Sequence, residues 1–153
     1  MSLFRKPGKK ILELLGQGLT PEKIALGIAV GMTLSTFPVL GSTTLLCITA
    51  AAVFGLNLPA MQIVSWLSYP LQLSLLVPLL RLGARLVGSH VQVPSLAEIG
   101  ARLATNLWST IVEFWPATIG AMIIWLLASP FVVLATYFLT IQPVRRVARS
   151  LSL

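Results

Sequence analysis

Two arginines at helical spacing are the clearest candidates for chemistry in this sequence. Arg81 and Arg85 stand four residues apart, and a helix places residues at that spacing on one face. Paired guanidinium groups can hold phosphate oxygens in bidentate hydrogen bonds, so this pair could contact the headgroup of an anionic lipid. The same spacing fits two cations that extend from the end of a membrane span to the headgroup level. The sequence leaves both interpretations open.

Few other side chains could support catalysis or bind a metal. The 153 residues include four Glu, no Asp, one His and one Cys. His90 lies in a polar connector without neighbouring ligands, and Cys47 lies in an apolar stretch that would keep its thiol protonated. The sequence contains neither a phosphate-binding loop nor a nucleophile elbow. We therefore expect no catalytic residue, no metal site and no cofactor, and we expect that the protein is not an enzyme.

Hydropathy indicates that lipid surrounds the elements that position the arginines. The chain is 56% hydrophobic and 10% charged, and its mean hydropathy is +0.91. Charged residues are missing from residues 24–80 and again from residues 114–144. A membrane-spanning helix needs about 20 apolar residues, so both stretches predict helices embedded in the bilayer. The predicted fold class is an all-α polytopic integral membrane protein.

Basic residues flank the apolar stretches and do not form a stripe that would bind nucleic acid. They cluster in residues 5–10 and 145–149, and the net charge is +7. Lys and Arg are retained at the cytoplasmic ends of membrane proteins, where anionic lipid attracts them. We therefore expect both termini in the cytoplasm, the lipid bilayer as a partner and no nucleic acid. The number of full crossings is then even, either two plus a re-entrant hairpin or four.

Prolines and glycines divide the first apolar stretch into short helices. The pattern predicts one helix over 21–37 and another over about 42–54. At 1.5 Å per residue these are about 25 Å and 20 Å long, against a hydrocarbon thickness of about 30 Å. A re-entrant or broken helical hairpin with its tip at 38–41 fits these lengths better than two short tilted spans. The predicted helix breaks are Pro38, Gly41, Asn57, Pro59 and Pro70.

A stripe of small residues follows the first predicted helix. Gly27, Gly31 and Ser35 recur every four residues, so they share one helical face. Small residues let helices approach closely in lipid, where packing drives association. We expect this face to pack against another helix of the same chain. A homo-oligomer interface and the lining of a channel are the alternatives.

Polar side chains within the apolar stretches need hydrogen-bond partners. Gln62, Ser65 and Gln72 are expected to turn inward, where they can bond other helices or the carbonyls that Pro70 leaves free.

The second half of the chain predicts an interfacial helix followed by one long span. Ser95 and Glu98 have the spacing of a capping box, and apolar residues recur behind them at helical spacing. The last span is predicted over 117–141, with Pro143 and the arginines after it ending the helix. The domain prediction is a single membrane domain, 1–153, with these parts: a basic amphipathic N-terminal segment (1–19), a broken-helix core (20–88), a polar connector and interfacial amphipathic helix (89–113), a transmembrane helix (114–144) and a basic tail (145–153).

Five short motifs occur in a distinctive order along residues 20–90. They are A-L-G-I-A-V-G at 25–31, F-P-V-L-G at 37–41, L-N-L-P-A at 56–60, Y-P-L-Q at 69–72 and R-L-G at 81–83. In this order the sequence resembles a family of small bacterial inner-membrane proteins catalogued as domain of unknown function two thousand and sixty-two. The resemblance implies a small protein of the bacterial inner membrane. It implies no activity.

These features favour a small non-catalytic integral membrane protein that acts as a scaffold or accessory component of a bacterial envelope system. A membrane protein partner or a homo-oligomer would then complete the assembly. The alternative is a transporter or binder of an anionic lipid such as a polyprenyl phosphate. That function would use the broken helix at 38–41 together with Arg81 and Arg85.

Overall fold

The computed structural model describes residues 20–151, and within this range every regular element is a helix. The predicted all-helical fold class is confirmed for these residues. The predicted amphipathic segment over 1–19 lies outside the described residues, as do the last two residues of the basic tail. The helices are α1 (Pro21–Ser35), α2 (Thr43–Phe54), α3 (Leu58–Leu67), α4 (Tyr69–Leu86), α5 (Leu96–Thr105) and α6 (Leu107–Leu151).

Helix α1 begins at the predicted residue and ends two residues earlier than predicted. The Thr20 hydroxyl accepts a hydrogen bond from the Lys23 amide at 3.3 Å and so caps the helix. The helix ends at Ser35 and not at Phe37. A proline disfavours helical backbone in the residue before it, and Pro38 therefore moves the end of the helix towards the N-terminus.

Helices α1 and α2 form a hairpin whose tip is the loop over 36–42. Gly41 turns the chain there with a φ of 86°, a conformation that favours glycine. Helix α2 then runs back along α1 and ends at Gly55, which has a φ of 61°. The Lys23 ammonium lies 3.7 Å from where a Cβ on Gly55 would be, so the far end of α2 returns to the start of α1.

Helices α3 and α4 follow one another with a single residue between them and a sharp bend at that point. The Asn57 side chain accepts a hydrogen bond from the Ala60 amide at 2.9 Å and caps α3. The chain bends by 64° between α3 and α4, just before Pro70. Pro59 and Pro70 each stand in the first turn of a helix, where the missing N–H has no helical acceptor to lose. The breaks predicted at Asn57, Pro59 and Pro70 thus correspond to two helix starts.

Helix α6 is longer at both ends than the span predicted over 117–141. It continues through Pro116, Pro130 and Pro143 to Leu151, so the expectation that Pro143 ends the helix is wrong. Each internal proline removes one backbone hydrogen bond but keeps a φ that suits a helix. Continuing the helix keeps the other backbone N–H and C=O groups hydrogen-bonded.

Helix α6 is also the element against which α1 and α4 pack. The Glu22 carboxylate and the Arg145 guanidinium form a salt bridge at 2.9 Å, which joins the start of α1 to the C-terminal part of α6. The Trp125 indole donates a hydrogen bond to the Thr36 hydroxyl at 3.1 Å, which joins the end of α1 to the middle of α6. Helix α1 is therefore antiparallel to α6. Helix α4 packs against the N-terminal half of α6, around the buried Ala117 and Ala121.

One helix of the described range is long and apolar enough to cross a membrane. This helix is α6, and only 17% of its most apolar window is buried inside the molecule. The bent pair α3 and α4 passes the same test when its two helices are taken together. Large apolar side chains of α6 point outward along its length, among them Leu126, Leu127, Phe131, Phe138 and Leu139.

Candidate functional site

The helix that carries the two candidate arginines meets α6 at a contact between two glycines. A Cβ on Gly83 would overlap the backbone of Ala117 and Ala121, and a Cβ on Gly120 would overlap Gly83 itself. The two backbones therefore touch directly. Residues two positions apart on a helix lie about 200° apart around its axis. Since Gly83 faces α6, Arg81 and Arg85 lie on the opposite side of α4.

This glycine contact is absent from the sequence-based expectations. Gly83 is followed by Ala84, and Gly120 lies three residues after Ala117 and directly before Ala121, so small residues cluster at both positions. That clustering is the signal that could have indicated a close helix crossing.

Arg81 and Arg85 line one groove between α4 and the connector over 89–93. The groove has a volume of about 280 Å³, and the connector supplies its other wall. The structure therefore brings the two predicted lipid-contacting residues together. The remaining lining residues are Ala84, Ser89, Val91, Gln92 and Val93.

The two arginines have different partners within this groove. The Arg81 Nε donates a hydrogen bond to the Val93 carbonyl at 3.3 Å, which holds the connector against α4. Among the described residues the Arg85 guanidinium has neither a hydrogen bond nor an ion pair, and the residue is exposed. The Arg85 guanidinium is thus available to a ligand in the groove, while the Arg81 side chain also holds the connector in place.

The acidic residues on this side of the molecule already have partners. Glu113 accepts hydrogen bonds from Arg102 at 3.0 and 3.2 Å, and the Arg102 guanidinium lies 6.0 Å from the centre of the Phe114 ring. Glu98 completes the predicted capping box of α5. The backbone N–H and then the hydroxyl of Ser95 donate to the Glu98 carboxylate and lower its pKa. The described residues that line the groove with Arg81 and Arg85 include no carboxylate.

The end of α1 is held by side chains from two other helices. The Gln72 amide, with 3% of the residue exposed, donates to the Phe37 carbonyl at 3.0 Å. The Phe37 ring meets the Trp125 ring edge to face, with centroids 5.0 Å apart. The prediction that Gln72 turns inward is confirmed, and its acceptor is the carbonyl before Pro38 and not one freed by Pro70. Gln62 bonds the Thr44 hydroxyl at 3.3 Å.

The small-residue stripe of α1 lies against α3 within the same chain. Gly27, Gly31 and Ser35 are all buried. A Cβ on Gly31 would lie 3.0 Å from the Met61 carbonyl oxygen, and a Cβ on Gly27 would lie 3.8 Å from the Met61 Cγ. The first of these distances is tighter than ordinary packing. The stripe thus allows α1 and α3 to approach closely.

The other described side chains that could act in catalysis or bind a metal do not lie near one another. His90 is exposed on the connector, and Cys47 is buried in α2. Over residues 20–151 no three side chains of His, Cys, Asp or Glu gather where they could hold a metal ion. Within that range the groove with Arg81 and Arg85 is therefore the best candidate for a binding site.

Comparisons with known proteins identify one family. Neither the curated proteins nor the solved structures include a match to this chain. A family model described as "Uncharacterized protein conserved in bacteria (DUF2062)" matches residues 4–150, which extends the resemblance found over 20–90 to nearly the whole sequence. The family suggested by the five motifs is thereby confirmed. The chain belongs to this family of uncharacterised bacterial proteins.

Proposed function

We propose that the protein is a small non-catalytic integral membrane protein that serves as a scaffold or accessory component of the bacterial envelope. The observation that carries this proposal is that buried polar groups and glycines form contacts between helices. Gln72 and Trp125 hold the end of α1, and Gly83 lets α4 touch α6. Such contacts build a fixed helical framework in lipid, where close packing and interhelical hydrogen bonds hold helices together. The outward apolar face of α6 then contacts lipid or a membrane partner.

The proposed topology places the protein in the inner membrane with both termini in the cytoplasm. Helix α6 is one full crossing, and the bent pair α3 and α4 is the other. The hairpin of α1 and α2 enters from the cytoplasmic side and returns to it. The salt bridge between Glu22 and Arg145 supports this topology, because it sets the start of α1 beside the C-terminal end of α6. Residues 88–113 then lie outside.

Labelling of single cysteines tests this proposal. The chain has one cysteine, so Cys47→Ser provides a background without thiols. In that background we expect His90→Cys to react with a membrane-impermeant maleimide in cells whose outer membrane has been opened. We expect Ser150→Cys to react only after the inner membrane is permeabilised. Both replaced side chains are exposed, so accessibility depends on the side of the membrane.

Two outcomes would contradict the proposal. Reaction of both cysteines from the same side would exclude an odd number of crossings between residues 90 and 150. Turnover of a lipid-linked substrate by the purified protein alone would exclude a non-catalytic scaffold. The cysteine-free parent, labelled in parallel, gives the background signal.

A second candidate function is the binding or transport of an anionic, polyprenyl-phosphate-like lipid. The observation that favours it is the exposed Arg85 beside Arg81 in a groove whose described lining includes no carboxylate. An arginine fork can hold a phosphate in two parallel hydrogen bonds. The lipid tail would extend from the groove along the exposed Leu82 and Leu86 of the same helix.

Replacing both arginines by glutamine is expected to abolish this binding. Arg85→Gln alone should weaken the binding of a polyprenyl phosphate about tenfold, since hydrogen bonds to charged groups contribute about 1.5–3 kcal/mol. Arg81→Gln should have a smaller effect, because Arg81 also holds the connector. Native mass spectrometry of the detergent-solubilised protein with added lipid measures each affinity. Arg102→Gln is the matched control on the same side of the molecule, and unchanged binding in the double variant would remove the proposal.

A further inference from the structure

A second groove with a basic residue lies at the other end of α6. It has a volume of about 320 Å³ and lies near the C-terminal end of the apolar part of the helix. Phe138 and Leu139 are 66% and 76% exposed, so two large apolar side chains of the groove are open to the surroundings. The full lining is Phe138, Leu139, Gln142, Pro143 and Arg146.

The charge of this groove comes from Arg146. Its neighbour Arg145 is occupied, because it donates two hydrogen bonds to the Glu22 carboxylate at 2.9 and 3.1 Å. In the described part of the chain Arg146 has no such partner and is exposed. It lies two positions after Val144, the last residue of the uncharged stretch over 114–144. The exposed apolar side chains of Phe138 and Leu139 thus lie before the Arg146 guanidinium along the helix. A phospholipid has the same order of apolar tail and charged headgroup.

Pro143 adds a second element of recognition. In a regular helix the carbonyl of residue 139 accepts a hydrogen bond from the amide of residue 143, and proline has no N–H to donate. The Leu139 carbonyl therefore lacks its ordinary donor at the groove. The Gln142 amide, which can both donate and accept, is exposed beside it. A headgroup that carries a hydroxyl or an ammonium next to its phosphate would match this set of groups.

We infer that this groove binds the headgroup of an anionic bilayer phospholipid, with the phosphate on Arg146 and a headgroup hydroxyl near the Leu139 carbonyl. The inference rests on the proposed membrane placement of α6 and is separate from the Arg81 and Arg85 groove. Gly120 touches Gly83, which lies between Arg81 and Arg85 on α4, so Gly120 marks the level of the first groove along α6. Gly120 and Arg146 are about 39 Å apart along a helix with 1.5 Å rise per residue. A bilayer with its headgroups is about 40–45 Å thick. The two grooves therefore serve opposite leaflets.

Native mass spectrometry of the full chain with phosphatidylglycerol tests this site. Phosphatidylglycerol has the required phosphate and hydroxyl groups, and phosphatidylcholine is the zwitterionic comparison lipid. We expect Arg146→Gln to weaken phosphatidylglycerol binding about tenfold. Lys23→Gln removes the same charge at the same end of the molecule but outside the groove, and we expect it to bind like the parent protein. Arg146→Lys keeps the charge without the planar fork and should bind with intermediate affinity.

The expected pattern also includes a response to Pro143→Ala. This substitution restores an amide donor for the Leu139 carbonyl, so phosphatidylglycerol should lose its advantage over an anionic lipid without a headgroup hydroxyl, such as phosphatidic acid. Equal weakening by Arg146→Gln and Lys23→Gln would show a general charge effect and overturn the inference. Unchanged binding in Arg146→Gln and Arg146→Lys would overturn it as well. The cysteine-labelling experiment reports separately on the membrane placement.

Discussion

Gly83→Ala is expected to force α4 away from α6 and to lower the free energy of unfolding by about 3 kcal/mol, the upper end for overpacking of a tight interface. A Cβ at this position would overlap the backbone atoms of Ala117, Gly120 and Ala121, so no side-chain rotation relieves the clash. Gly120→Ala meets the backbone of Gly83 and should have a similar effect. The large predicted effect follows because two helices must separate along their whole contact to accommodate one methyl group.

Unfolding in mixed detergent, followed by circular dichroism, measures this free energy. Gly100→Ala is the matched control, because Gly100 also lies inside a helix and a Cβ there meets nothing within 4 Å. Alanine is the better helix former by about 1 kcal/mol, so this control should be neutral or slightly more stable than the parent. If Gly83→Ala unfolds at the same detergent fraction as Gly100→Ala, the close crossing of α4 and α6 is excluded.

The contrast between Gly31 and Gly83 shows which close contacts could be predicted from sequence. Gly31 belongs to a stripe with four-residue spacing, and that pattern predicts a packing face without knowledge of the partner helix. Gly83 is a single glycine in its helix, and its partner Gly120 is 37 positions further along the chain. Nothing local connects two single glycines on separate helices. Only the path of the chain between them brings them together.

Helix ends at prolines could likewise be predicted from the sequence only in part. Pro38 and Pro143 each come after a long apolar stretch, and the sequence predicts a helix end at both. The helix does end before Pro38, where Gly41 provides a turn within three residues. Residues 144–151 contain neither glycine nor proline, and the helix continues through Pro143. The residues after a proline therefore decide its effect, because a helix stops only where the chain has another conformation to adopt.

The candidate groove could be predicted only in part. Helical spacing put Arg81 and Arg85 on one face, and the structure brings them to one groove. Their different roles depend on the connector over 89–93, which folds back so that the Val93 carbonyl meets the Arg81 side chain. A loop conformation of this kind is set by contacts that are distant in sequence. The sequence could therefore identify the pair but not the arginine that remains available.

Gln72→Leu is expected to release the tip of the hairpin from the rest of the molecule and to cost about 2 kcal/mol of stability, within the range of about 1–3 kcal/mol for a buried unsatisfied group. The Gln72 amide is the donor that the structure gives to the Phe37 carbonyl, at 3.0 Å in a buried position. Removing the donor leaves that carbonyl unsatisfied. In the proposed membrane placement there is no water to replace the lost bond.

Hydrogen exchange measured by mass spectrometry should locate the effect at the tip. We expect faster exchange over residues 36–42 in Gln72→Leu, while α5 exchanges as in the parent. Gln62→Leu is the matched control, because the Gln62 side chain donates to a hydroxyl at 3.3 Å in an exposed position, and its loss should leave the tip unchanged. Exchange at the tip that is equally slow in Gln72→Leu and the parent would mean that the Phe37–Trp125 ring contact holds the tip without the amide. The amide is expected to dominate, because edge-to-face ring pairs contribute only about 0.5–1.5 kcal/mol beyond their buried area.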